Sequence, residues 1–132
     1  RSKKVIENAQ ALASGLVEEG MRAVSGGTQT HLALIDIRAT GVNGKVADER
    51  CGLSGITLNK NSIPYDPEKP AISSGIRVGT AATTTQGMGV GEMRQIASLI
   101  ARAIKDGDDI TKAQAIKSEV KALTAKFPIY TR

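Results

Sequence analysis

One cysteine, one histidine, no tryptophan and only three aromatic residues in 132 deprive several functions of the residues they require. Cys51 alone cannot close an internal disulfide, and a single histidine leaves no Cys/His set for a structural metal. A reducing compartment is therefore expected. No apolar run approaches the roughly 20 residues of a membrane span, and the amino end RSKKVIENAQ has neither the apolar core nor the cleavage site of a signal peptide. These absences predict a soluble, cytoplasmic protein with no membrane partner. An organelle is the other reading, because a targeting segment would precede Arg1. The chain starts without methionine, as a segment cut from something longer would.

The length is that of one domain with a single core. Eighteen Lys and Arg against 13 Asp and Glu give a net charge of +5, which suits an acidic ligand or nucleic acid. The basic residues are spread along the chain, however, and only Tyr65, Phe127 and Tyr130 could stack on bases. Nucleic acid is not expected as a partner.

Val5, Ala9, Leu12 and Leu16 recur at helical spacing, which predicts a helix over residues 2–19 with Gly20 as its stop. After a short segment at 23–25, HLALIDI (31–37) is apolar enough for a central strand. TGVNG (40–44) is turn chemistry, a short helix follows over 45–51 with Gly52 ending it, and GITLNKN (55–61) predicts another strand. SIPYDPEKPA (62–71) holds three of the four prolines and must be an ordered loop or extended crossing. Two helices close the chain, one carrying the stripe Met93, Ile96, Ala97, Ile100 and Ile104, the other Ala113, Ile116, Val120, Leu123 and Phe127. This order predicts an α/β two-layer sandwich, with a small, mostly antiparallel sheet and helices packed on one face.

SSGIRVGTAA (73–82) supplies one more strand, with Ile76 and Val78 on one face and Arg77 on the other. A guanidinium in such a run asks for an anion. Gly75 and Gly79 share its face and would let a ligand approach the sheet closely. Two origins for the anion stand side by side: one of the 13 acids in a structural ion pair, or a bound carboxylate held in two parallel hydrogen bonds, which lysine cannot copy.

Other motifs weaken on inspection. GMGVG (87–91) lacks the spacing and the preceding strand of a dinucleotide fingerprint, and GVNGKV (41–46) fails as a Walker A loop. His31 and Asp36 have no nucleophile elbow to serve. Asp108 and Asp109 open the last helix, where negative charge suits the macrodipole, and Cys51 reads as a small buried apolar group.

SGGTQTHLALIDI (25–37), ITLNKNSIPYDPEKP (56–70), SGIRVGTAA (74–82) and KFPIY (126–130), in this order and spacing, closely resemble serine hydroxymethyltransferase, over nearly all 132 residues. The resemblance covers only the carboxyl-terminal small domain of that aspartate aminotransferase-like fold, so residues 1–132 are expected to be that domain, with the large domain lying upstream. It implies an enzyme that interconverts serine and glycine with pyridoxal phosphate as cofactor and tetrahydrofolate as co-substrate, a homodimer or tetramer at full length. It also implies that Arg77 holds the substrate carboxylate, that Asn61 lies near the folate ring, and that Lys69, Pro70 and Ala71 align with a Ser-Pro-Phe stretch contacting folate.

Lys69 and Ala71 replace the serine and phenylalanine of that stretch, so only backbone-mediated folate contact carries over. Ala81 stands where the family usually has proline, Gln86 where arginine commonly precedes the glycine, and Gln29 and Thr30 where Asp-Asn precedes His31. TTTQGM (83–88) superficially resembles the threonine-rich run before the family's cofactor lysine but has no lysine. The isolated domain is accordingly expected to be inactive, with no catalytic residue of its own and no metal. The rival reading is an autonomous module binding small carboxylates or nucleic acid without catalysis; steep loss of binding with rising salt would mark the nucleic-acid variant.

Overall fold

The computed structural model describes residues 2–25, 32–56, 58–79 and 89–125. Its elements are α1 (Ser2–Glu18), β1 (Arg22–Ser25), β2 (Leu32–Asp36), α2 (Gly44–Leu53), β3 (Asn59–Asn61), β4 (Gly75–Gly79), α3 (Val90–Asp106) and α4 (Ile110–Ala125), with one 3-10 turn at Arg38–Thr40. The four strands form one antiparallel sheet in the order β1-β2-β4-β3. With the four helices, this is the α/β two-layer sandwich that the element order predicts.

Helix ends follow from local chemistry. At the end of α1, Gly20 takes φ +102°, and the Met21 N–H returns to the Leu16 carbonyl at 3.1 Å. The end of α2 differs from expectation. Gly52 stays within the helix, and the stop is Gly55 at φ +80°, where the Ile56 N–H closes onto the Cys51 carbonyl at 2.8 Å. Glycine tolerates a helix interior, whereas the left-handed turn favours glycine far more strongly. Asn43 caps the start of α2 by accepting from the Val46 N–H at 2.9 Å. Asp109 does the same for α4, accepting from Thr111 and Lys112, while Asp108 lies 3.9 Å from Arg50.

The core forms where the helical stripes meet the inner face of the sheet. Leu12, Leu16, Ile35, Ile76, Met93, Ala97, Ile100 and Ile104 are buried together, with Cys51 among them. At the α1–α3 crossing, a Cβ on Gly15 would lie 2.7 Å from Ala97 Cβ, so only glycine allows this approach. Two ion pairs stitch the helices outside the core: one Arg94 nitrogen donates to both Glu18 oxygens, and Arg102 makes a two-nitrogen fork on Glu119.

Among the described residues, the strand expected over 55–61 shortens to β3, because Ile56 turns inward beside the core after the Gly55 turn and Leu58 is buried. No helix there is long and apolar enough to cross a membrane, and no group of three or more His, Cys, Asp or Glu is placed to hold a metal. Gln29, Thr30, His31, Ala81, Gln86, Phe127 and Tyr130 lie outside the described residues.

Candidate functional site

Residues paired across an antiparallel sheet share a face, so the register specifies what surrounds Arg77. Asn59 on β3 and Leu34 on β2 lie directly opposite it. One row away, Asn61, Gly75, Asp36 and Arg22 form a second line across the same outer face. Ile76 and Val78 point the other way and are buried, whereas Arg77 is exposed.

Among the described residues the guanidinium has no anionic partner. Of the six arginines among the described residues, Arg22, Arg38, Arg50, Arg94 and Arg102 each lie within 4 Å of a carboxylate, and Arg77 does not. All 13 acidic side chains belong to described residues, so the structural ion pair that the sequence left open is not formed.

The neighbouring arginines show the contrast. The Asp36 side chain is only 5% exposed and accepts from Arg22 at 2.9 Å and from Arg38 through side chain and backbone at 2.8–3.1 Å. Burial pushes its carboxyl up, but the Arg38 and Arg22 donors outweigh that and hold it at about 2. The charge of Asp36 is thereby committed, and with it much of the anion-binding capacity of those two arginines.

Gly75 does not serve the purpose that its place beside Arg77 suggests. A Cβ there would meet Ile63 Cγ2 at 2.8 Å and the carbonyl oxygens of Asn61 and Ile35 at 2.9 Å. The room left by the missing side chain is filled by protein, because the proline-rich connection folds back over this end of the sheet. Open surface lies instead around Arg77 and Asn59, both exposed. Gly79, at the other end of β4, pairs with Leu32.

That connection, residues 62–74, is ordered around Asp66. Its carboxylate accepts from the Ile63 and Ser74 N–H groups at 3.1 and 2.8 Å, from the Glu68 N–H at 2.8 Å and from the Ser74 hydroxyl at 2.7 Å. Burial opposes the charge, yet these donors hold the carboxyl at about 2. Sequence inspection did not single out Asp66. Its signal is the Asp-Pro pair, a turn initiator whose carboxylate reaches the N–H two residues on.

Asn61 and Arg77 thus sit diagonally on adjacent strands, on one face. The Asn61 amide donates to the Ser62 carbonyl at 2.9 Å. Lys69, Pro70 and Ala71 are exposed at the far turn of the connection. The Lys69 carbonyl already accepts from the Ile72 and Ser73 N–H groups, and the Pro70 carbonyl from the Ser73 hydroxyl. Any backbone contact this turn offers a ligand must therefore come chiefly from its remaining groups. Cys51 has no place in the site: it is fully buried, and burial with the nearby Asp48 charge pushes its thiol up to about 12.

An exposed arginine fork that meets no carboxylate among the described residues, while its neighbours are neutralised, suits a small carboxylate bound through two parallel hydrogen bonds. Comparison with protein families gives this geometry its context. The sequence model described as Serine hydroxymethyltransferase matches residues 1–100 of the 132, from α1 through most of α3 and across the whole sheet. With the Arg77 strand and the Asp66 connection both inside the matched stretch, the chain belongs to the serine hydroxymethyltransferase family.

Proposed function

We propose that residues 1–132 act as the small domain of a serine hydroxymethyltransferase, with Arg77 binding the carboxylate of serine or glycine. The carrying observation is the Arg77 guanidinium, exposed on a central strand and without a carboxylate partner among the described residues, beside arginines already matched to Asp36. Two parallel charge-assisted hydrogen bonds fix the carboxylate in direction as well as in place, and orienting the substrate contributes to rate. Asn61, on the next strand, and the 69–71 turn form the wall offered to tetrahydrofolate, the one-carbon carrier of the interconversion.

Arg22 and Arg38 are engaged with Asp36 and so have little to offer a phosphate. In this reading the cofactor, which supplies the electron sink, belongs to the large domain together with its lysine. This chain contributes substrate positioning and is inactive alone. The completed enzyme is a homo-oligomer.

Glycine affinity of the complete enzyme tests the assignment. Arg77→Lys keeps the charge and loses the fork, costing about 1.5–3 kcal/mol, roughly a 10- to 150-fold weaker Kd. Arg77→Ala should abolish measurable binding. Unchanged affinity in both variants, with the fold intact by circular dichroism, would sink the carboxylate role.

A further inference from the structure

The connection 62–74 contains no regular element and three prolines, yet one carboxylate gathers both of its ends. Ile63 follows β3 by two residues, and Ser74 immediately precedes β4. Asp66 Oδ2 accepts from the backbone N–H of both, and Oδ1 accepts from Glu68 N–H and the Ser74 hydroxyl. The far turn is fastened to the same place, since Lys69 and Pro70 accept from Ser73 through its N–H and hydroxyl. Beyond Ser73 and Ser74 the chain docks onto the body of the domain, where Gly44 N–H donates to the Ser73 carbonyl and Ile37 N–H to that of Ser74.

We propose that Asp66 is a positioning residue, holding the wall formed by Asn61 and the 69–71 turn in fixed register with Arg77. This rests on the reading of the site given above and extends it to a residue that touches neither ligand. From Ser74 to Arg77 is three residues of extended chain, about 10 Å, so whatever fixes Ser74 also sets how far the wall stands from the guanidinium. The carboxyl is held at about 2, so the clamp keeps its charge throughout the neutral range. Its loss should be local. Ile63 lies outside the main core cluster, and most of the connection is exposed.

The test is run on the complete enzyme with its cofactor, measuring glycine affinity, tetrahydrofolate affinity at saturating glycine, and thermal midpoint. Asp66→Ala should weaken tetrahydrofolate binding roughly tenfold, as misplacement of a binding wall does, while glycine affinity stays within about twofold. Asp66→Glu, which keeps the charge, should recover part of the loss. Unchanged tetrahydrofolate affinity, or equal losses of both ligands with a lowered midpoint, would overturn the proposal, the latter because a merely structural role predicts it. Should Asp66→Ala fail to fold, Ser74→Ala removes only the hydroxyl bond to Asp66 and must still shift the ratio of the two affinities toward weaker folate binding; an unchanged ratio overturns the proposal equally. The Arg77→Lys variant stands apart: if it leaves glycine affinity intact, the carboxylate assignment fails while the folate readout for Asp66 remains decisive.

Discussion

Replacing Asp36 with asparagine tests the electrostatics of the outer sheet face. The substitution keeps the shape and removes the charge that two guanidiniums share. A carboxyl held at about 2 instead of the ordinary 3.8 is worth at most about 2.4 kcal/mol at neutral pH, at 1.36 kcal/mol per tenfold. Arg22 and Arg38 are 62% and 51% exposed, so water screens their side of the pair and about 1–2 kcal/mol is the realistic loss. For a chain of this length that lowers the thermal midpoint by about 4–8 °C. The pH dependence identifies the cause. Because the folded carboxyl is lowered, its contribution is present in full above the unfolded value near 4, declines as pH falls, and is mostly gone by about pH 2. Urea midpoints of both proteins from pH 7 down to pH 2 should therefore converge. A difference that stays constant with pH would refute the charge argument and return the effect to packing.

Gly15→Ala should destabilise the chain by about 1–2 kcal/mol, since overpacking against Ala97 exceeds the helix propensity gained; adding Ala97→Gly should restore much of the loss, and a neutral single variant would contradict the close crossing. Gly75→Ala should cost more, about 2–3 kcal/mol by chemical denaturation, because two of the three atoms it meets are backbone oxygens that cannot rotate away. Native Cys51 should resist a thiol reagent at pH 8 and react on unfolding in urea, its thiol being buried and pushed up to about 12; fast native labelling would contradict its burial.

Periodicity in the sequence was enough for α1, α3, α4 and for the strand holding Arg77, because helix and strand patterns are written in neighbours three, four or two residues apart. Caps were legible for the same reason: Gly20 and Asp109 act within a few residues of themselves. Even the choice between Gly52 and Gly55 as a stop is local, though it turns on a left-handed backbone that both glycines could adopt. What surrounds Arg77 was not legible. Whether any of 13 acids reaches it depends on pairings of distant segments, and the fold gives Asp36 to Arg22 and Arg38 instead. Gly75 beside an arginine suggested room for a ligand, but the chain fills it with Ile63 from a connection whose path depends on one aspartate. Sequence alone therefore determined the long helices, the strand carrying Arg77 and the face on which that arginine stands, but not the end of α2 or the length of β3. Only the tertiary structure decided which charges are neutralised and which space is filled, because both depend on contacts between residues far apart along the chain.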